Sequence, residues 1–590
     1  MKYLCNPINF EYKYQFHPKD GQLFANREAA DPSMVLFKGM YYLFPSMTGG
    51  FLASKDLANW EFHSFKNKMP IYDYAPDVCV KGDYIYFSAS KRQDNCSFYR
   101  STDPINLEFE EVEEAFPFWD PHLFADEDGR MYFYWGCSNI EPLYGVEVDP
   151  LTMQPLSEKI IVITENTNKI GYERAGADHV GKTEAEIEMR VQEFLKKMPN
   201  LPDSHKPTIY KVMGNAPYME GAWMTKHNGK YYLQYAAPGT QYNVYADGVY
   251  VGERPLGPFT LAKNNPYSYK PGGFINGAGH GSTMKALDGQ YWHTSTMAIS
   301  HNHNFERRLG IWQAGIDDDG ELFCDQRYGD WPLRVDQKPW DKPDWMLLSY
   351  GKKVTASSGT GLENVTDENI LTWWQADTSG AGEWIIVDLG QECNIHGIQV
   401  NFADDQLAVE LPEGEILNSS PGMSNEERFI DLSHQLTRWI LEGSCDGVDY
   451  FVIEDKSNVE TDLPHDFIVN EEGGAARYLK LTIVELPYNQ VPKVSGLRAF
   501  GKVDGELPTA LTDVQVELVG DLDMFVNWQS NASGHNVLWG YAADKLYHSY
   551  MVFGKNEQKI GALIKGQPLY VRVDTFNEVG ITEGNVVKVK

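Results

Sequence analysis

Apolar and polar positions alternate along most of this chain in aromatic-rich runs of five to eight residues, bounded by Gly, Asn and Asp clusters. A period of two predicts antiparallel strands joined by hairpins. One stretch departs from it. In "TEAEIEMRVQEFLKKM" (183–198), Ile187, Val191, Phe194 and Leu195 follow helical spacing. This predicted helix lies inside an insertion of roughly 165–207 and reads as an excursion from a β scaffold.

One strand pattern recurs. It appears in "ADPSMVLFKGMYYLFPS" (30–46), "APDVCVKGDYIYFSAS" (75–90), "WDPHLFADEDGRMYFYWG" (119–136), "MEGAWMTKHNGKYYLQYAA" (219–237) and "GHGSTMKALDGQYWHTST" (279–296). Each copy has a polar or charged residue, a short apolar strand, a turn with Gly, and a Tyr-rich strand. Asp31 precedes Gly39 by eight residues, and Asp120, Glu220 and His280 precede Gly129, Gly229 and Gly289 by nine. The second copy is shorter, with five residues from Asp77 to Gly82. A hairpin repeated five times predicts a radial array, and four-stranded blades of roughly 40–70 residues would fill the first part of the chain. The predicted fold class is all-β: a five-bladed β-propeller over 1–340, followed by two β-sandwich domains over 347–503 and 507–590. Prolines and charges in "DQKPWDKPDW" (336–345) mark the first boundary, and "GKVDGELPTA" (501–510) the second.

The innermost strand of a blade lines the central channel, so Asp31, Asp77, Asp120, Glu220 and His280 are expected to converge there. Two or three carboxylates around an aromatic-lined pocket suit glycoside hydrolysis. One carboxyl group protonates the leaving oxygen while another activates water or attacks the sugar. A third can hold the acid's pKa high by like-charge repulsion. For any single copy, Asp-Pro or Asp-Gly starting a turn is explanation enough. For the whole set, with Trp119, Trp223 and Tyr218 alongside, the chemical reading is better.

Composition narrows the partner. The net charge of -32 excludes nucleic acid and anionic membrane, because no basic surface is available to neutralise phosphates. Aromatics at 13% fit both β-rich cores and stacking on sugar rings. The seven cysteines are scattered with no CxxC pair, so neither a disulfide framework nor a zinc site is expected. They read mainly as small buried hydrophobes. No stretch approaches the roughly 18 apolar residues of a membrane span. The opening "MKYLCNPINF" lacks the apolar segment of a signal peptide.

The markers "ADPSMVLFKGMYYLF", "APDV", "WDPHLFADEDGRMYFYWG" and "EGAWMTKHNGKYYLQYA", spread over roughly residues 5–335, resemble glycoside hydrolase family 43, whose catalytic domain is a five-bladed β-propeller. The resemblance implies Asp31 as general base, Glu220 as general acid, and Asp120 as the residue that tunes the acid's pKa and positions it. It implies inversion at the anomeric carbon, with the acid and base carboxyl groups roughly 6.5–9.5 Å apart. His280 matches an axial histidine that often sits near a calcium or a water cluster, so a metal held at His280 through water is an expectation of the family. Arg307 or Arg308 in "NFERRLGIW" resembles an arginine that contacts substrate. Asp77, Trp119, Trp223 and His280 complete the expected substrate-binding set. "GYERAGADH" (171–179) resembles a segment preceding the acid motif, and would either border the pocket or anchor the insertion.

The implied activity is exo-acting removal of terminal sugars, α-L-arabinofuranose or β-D-xylose first, from polysaccharides or oligosaccharides. A β-galactosidase or galactofuranosidase of the same family is an alternative, as is a non-catalytic carbohydrate-binding protein. The hydrolysis requires no cofactor; a structural calcium is compatible with it. Enzymes of this kind are expected to be periplasmic or secreted, and a cytoplasmic location stays open for a chain with no leader in view.

Residues 353–402 resemble a coagulation-factor 5/8 C-type (discoidin) module, a candidate carbohydrate-binding module, with "RYLKLTIVEL" and "VSGLRAFGK" as closing strands. Its Trp384 reads as core, while Trp373 and Trp374 could be core or exposed. The polar stretch 405–430 matches nothing. Residues 507–590 resemble a fibronectin type III domain, with Trp528 in the core and Tyr570 as the candidate tyrosine corner.

Overall fold

The computed structural model describes residues 2–67, 69, 75–90, 95–114, 116–410, 416–419 and 428–590. Five antiparallel sheets follow one another in chain order, four of them four-stranded and the fourth, blade IV, extended by a fifth short strand, Ser268–Tyr269. Blade I runs from Ser33–Phe37 to Glu61–Ser64, and blade II from Asp77–Lys81 to Glu110–Glu114. Blade III runs from His122–Ala125 to Ile160–Ile163, blade IV from Glu220–His227 to Phe259–Leu261, and blade V from Asn276–Lys285 to Leu322–Cys324. The first strand of each blade touches the first strand of the next, and that of blade V touches that of blade I, so the ring closes. This is a five-bladed β-propeller. Tyr3–Leu4 pairs with Leu333–Arg334 beyond blade V and ties the two ends of the ring together.

The ring is held by a repeated polar device. At four junctions a side chain of one inner strand accepts the backbone N–H of the neighbouring inner strand. Ser33 takes Val78 N at 3.0 Å, Asp77 takes Leu123 N at 2.7 Å, His122 takes Met224 N at 2.9 Å, and Ser282 takes Met34 N at 2.9 Å. Aromatic clusters fill the space between blades, as around Phe44, Phe51, Phe87 and Phe109.

The insertion holds two helices where the sequence pattern predicted one. Helix α1 (Glu184–Lys197) starts at a Thr183 capping box with Glu186 and buries Val191. Helix α2 (Lys206–Met213) follows, with Pro207 in its first turn. Its eight residues are too few for hydrophobic spacing to announce it.

The chain's middle third forms an eight-stranded antiparallel sheet built on Trp384–Phe402, His465–Glu485 and Lys493–Lys502. Both expected closing strands lie within it. One of its tryptophans differs from expectation: Trp384, expected in the core, is only half-buried. Of the two left open, Trp374 is fully buried and donates to Ser358 O, while Trp373 stands edge-on to His301 of the propeller at 4.7 Å. The stretch 405–430 is partly outside the described residues. Its described parts join the N-terminal hairpin (Lys13–Lys19, Gln22–Glu28) in one five-stranded sheet. Arg27 pins that sheet to Asp404 at 2.6 Å and Asp462 at 2.8 Å, all three buried.

The last body is a sandwich of a three-stranded sheet (Gln515–Val519, Asp523–Asn527, Glu557–Ile560) on a five-stranded one built around Gly534–Gly540 and Tyr570–Phe576. Trp528 is buried in it, while Tyr570 is half-buried opposite Lys588. The segment 170–179 docks here: Gly171 N donates to Leu563 O at 2.8 Å, and Arg174 pairs with Asp523 at 2.9 Å. Of its two expected roles, anchoring is the one its contacts fill. No helix among the described residues is long and apolar enough to cross a membrane.

Candidate active site

At the head of the inner strands the backbone turns left-handed. Asp31 has φ 48°, Asp120 φ 48° and His280 φ 53°, a conformation that costs a side-chain-bearing residue and persists only where its surroundings enforce it. Each of these residues is enforced by the blade before it. Asp31 N donates to Thr296 Oγ1 at 2.8 Å, Asp120 N to Ser90 Oγ at 3.0 Å, and His280 N to Asp247 Oδ1 at 2.7 Å. The side chains are thereby aimed along the axis.

Asp31 is buried under four partners. Ser46 Oγ donates to Oδ2 at 2.9 Å, and Arg307 Nη1 to Oδ1 at 3.0 Å. Thr296 Oγ1 lies 3.4 Å from Oδ1, and His280 Nδ1 also stands 3.4 Å from it. The same imidazole nitrogen is 3.7 Å from Asp120 Oδ2. Glu220, at the head of blade IV, accepts from Tyr245 Oη at 2.5 Å on Oε1 and from Cys137 Sγ at 3.1 Å on Oε2. Ligand-capable atoms of Asp120, Cys137 and Glu220 all lie within 4.8 Å of one another. Carboxylates of blades I, III and IV and the imidazole of blade V therefore share one buried space.

The electrostatics follow from that crowding. Burial, with the charges of Glu220 and Asp31 added to it, pushes the Asp120 carboxyl well above the usual range, and the His280 charge only partly offsets this. Burial alone would lower the His280 imidazole, but Asp31, Asp120 and Glu220 outweigh it and raise its pKa. Burial followed by the same carboxylates lifts the Cys137 thiol and the Tyr245 phenol well above their ordinary values, so both keep their protons.

Asp77 does not join this group. Its two oxygens are taken by His122 Nδ1 at 2.9 Å and Leu123 N at 2.7 Å. Asp77 begins its strand, as Ser33 and His122 begin theirs, whereas Asp31 and Asp120 stand two residues earlier. The blade II counterpart of Asp31 is Ala75, which has φ 63° and whose N–H is held by Ser46 Oγ at 2.8 Å. The short second repeat had disguised this shift of two.

Other expectations divide in the same way. Arg307 faces the site and spans Asp31 and Glu28, with Nη2 2.7 Å from Glu28 Oε1. Arg308 turns away, donating to His465 Nε2 at 2.8 Å and packing over Tyr12. Trp223 is inter-blade packing rather than a sugar platform: it is buried against His122, and its Nε1 donates to Thr283 O at 2.9 Å. Trp119 stays half-buried beside Asp120. Tyr218, two residues before Glu220, is 38% exposed at the edge of the site. Cys137, Tyr245, Asp247 and Glu28 carried no motif and were missed. Only folding brings their strands to the axis.

Comparison with known proteins agrees with this architecture. Residues 24–184 and 172–322 match the model of glycosyl hydrolases family 43. Xylosidase/arabinosidase 43A of Humicola insolens is 25% identical over 279 residues, covering 40% of this chain and 80% of that protein. A xylosidase/arabinosidase of Bacteroides ovatus is 29% identical over 143 residues, covering 24% of this chain and 38% of that protein. Among solved structures, the GH43 BlXynB protein from Bacillus licheniformis superposes with a TM-score of 0.41 at 15% identity, covering 84% of this chain and 100% of that one. The family match runs from before blade I to the start of the last strand of blade V and takes in every residue of the carboxylate cluster, and the chain belongs to glycosyl hydrolases family 43.

Proposed function

We propose that this glycoside hydrolase is exo-acting and inverting, and removes terminal arabinofuranose or xylose from polysaccharide or oligosaccharide side chains. The observation that carries the reading is the convergence of Asp31, Asp120 and Glu220 around His280. In this reading Glu220 gives a proton to the glycosidic oxygen as the C1–O bond breaks. Asp31 takes a proton from the water that attacks C1 from the opposite face, and no glycosyl-enzyme forms. Asp120, whose carboxyl burial pushes well above the usual range, keeps its proton and acts on its neighbours by position. Arg307 and Ser46 fix the orientation of Asp31. The names of the Humicola insolens and Bacteroides ovatus relatives support xylose and arabinose as the sugars.

Helix α2 is tethered close in sequence to the site: Asn139, two residues from Cys137, donates Nδ2 to Val212 O at 2.9 Å. An insertion that narrowed the site on this side would favour removal of one sugar at a time. A periplasmic or secreted location would bring such an enzyme to its polymer.

The test is hydrolysis of a panel of nitrophenyl glycosides by wild type and Glu220→Gln. At least one arabinofuranoside or xyloside should be cleaved, and the variant should lose about 10³-fold, as loss of general acid assistance implies. Turnover of galactosides or galactofuranosides alone would move the assignment to those sugars. A chain inert on every member would favour a carbohydrate-binding role.

A further inference from the structure

Glu220 is gripped from both sides by donors of unequal strength. Tyr245 Oη approaches Oε1 at 2.5 Å, and Cys137 Sγ approaches Oε2 at 3.1 Å. A phenol is a strong donor, whereas a thiol is a weak donor and sulfur a weak acceptor. The thiol is also held in place. Gly136 N donates to Trp119 O at 2.9 Å, Met219 N donates to Ser138 O at 3.0 Å, and Ser138 N donates to Met219 O at 3.3 Å. These bonds lock the strand end carrying Cys137 to the strand head carrying Glu220, across the junction of blades III and IV.

The asymmetry has a chemical consequence. An oxygen that accepts a short bond from a phenol serves best as the carbonyl oxygen of a protonated carboxyl group. The carboxyl proton of Glu220 then belongs on Oε2, where it meets sulfur. A weak acceptor holds that proton loosely, and a glycosidic oxygen can compete for it. We propose that Tyr245 and Cys137 act together as positioning residues that make Oε2 of Glu220 the proton-delivering oxygen, with sulfur at position 137 keeping that proton available to the leaving group.

This rests on the reading of Glu220 as general acid. In the step itself the Oε2 proton passes to the leaving oxygen as the C1–O bond breaks, water adds to C1, and its proton passes to Asp31. Cys137 keeps its proton throughout and turns its S–H toward the Oε2 carboxylate left behind. Neither Cys137 nor Tyr245 forms a covalent bond to the sugar.

The test is a leaving-group series on whichever glycone the nitrophenyl panel identifies, running from 2,4-dinitrophenyl through 4-nitrophenyl to methyl. Wild type, Glu220→Gln, Cys137→Ser, Cys137→Ala and Tyr245→Phe are compared. A serine hydroxyl binds the Oε2 proton more firmly than sulfur does, so Cys137→Ser should lose on the order of tenfold on the methyl glycoside, one strong hydrogen bond's worth. It should stay within about twofold on the dinitrophenyl glycoside, which departs without a proton. Cys137→Ala, with no acceptor at all, should exceed Cys137→Ser on the methyl glycoside. Tyr245→Phe should share the leaving-group dependence. Cys137→Ser matching wild type along the series, or losing equally on all members, would overturn the proposal. If Glu220→Gln still showed its own leaving-group dependence, the general-acid reading would survive that result. Activity retained by Glu220→Gln on the methyl glycoside would overturn both. Should Cys137→Ser not fold, Cys137→Ala and Tyr245→Phe carry the comparison: Ala matching wild type with Phe selectively impaired supports the proposal, and uniform losses in both overturn it.

Discussion

Arg307 lies between two buried carboxylates, 3.0 Å from Asp31 and 2.7 Å from Glu28, and is the cation that lets both occupy the floor of the site. Removing one partner from a buried ionic group strands the rest in a medium that cannot solvate them. Arg307→Met should destabilise the protein by about 3–5 kcal/mol in denaturant unfolding. It should also depress kcat more than KM, because the orientation of Asp31 is lost. Arg308→Met, which leaves Asp31 untouched, should cost stability with little effect on kcat.

The ring pins and the site residues separate by a pair of isosteric changes. Asp77→Asn weakens the bonds to His122 and Leu123 N. It should lower stability by about 1–3 kcal/mol while leaving kcat/KM within a few-fold of wild type. Asp31→Asn, which leaves Arg307 paired with Glu28, should lose activity by about 10³-fold or more, far beyond what its loss of stability explains. Equal catalytic loss in both would restore Asp77 to the active site.

Asp120 gives the stability a definite slope with pH. Its folded pKa stands above its unfolded one, so between the two the native state holds a proton that the unfolded chain has released. The contribution of Asp120 to stability is therefore greatest below the ordinary carboxylate range and is lost as pH rises toward the raised value. His280, also raised, adds a loss of the same sign above its ordinary imidazole range. Asp120→Asn removes the first contribution. Its Tm relative to wild type should increase steadily from pH 4 to pH 7, and a difference independent of pH would refute this.

Gly221, next to Glu220, has φ +62° and no room for a side chain: a Cβ would lie 2.7 Å from His280 Cγ. Gly221→Ala has to shift either His280 or the strand head that carries Glu220. Misplacement of about 1 Å at a reacting group can cost 10²-fold. A loss of that order in kcat/KM, with a well-folded far-UV spectrum, is expected.

The fold was legible in the sequence to the level of the blade. Alternation and the five Gly-centred hairpins specify strands and turns locally, and their regular recurrence leaves a ring as the economical way to bury the inner faces. Asp31, Asp120, Glu220 and His280 were legible for the same reason, since each sits eight or nine residues before the glycine of its turn. Asp77 was misread because its repeat is shortened. A slip of two residues keeps a side chain on the same face of a strand but moves it from the cavity to the seam between blades. Trp223 failed as a sugar platform because an inward aromatic and an inter-blade aromatic have the same pattern in one dimension.

What the sequence determined by itself was periodicity: strands, hairpin turns, the helix α1 and the acidic residues that open four of the repeats. The tertiary structure decided which of those residues meet and what holds them. Cys137 reaches Glu220 from 83 residues away, Arg307 reaches Asp31 from 276, and Arg27 reaches Asp404 from 377. Short-range pattern encodes which face a side chain takes. Charges buried together need partners at specific distances, and those partners come from strands that become neighbours only on folding: consecutive blades for Cys137 and Glu220, the closure of the ring for Arg307 and Asp31.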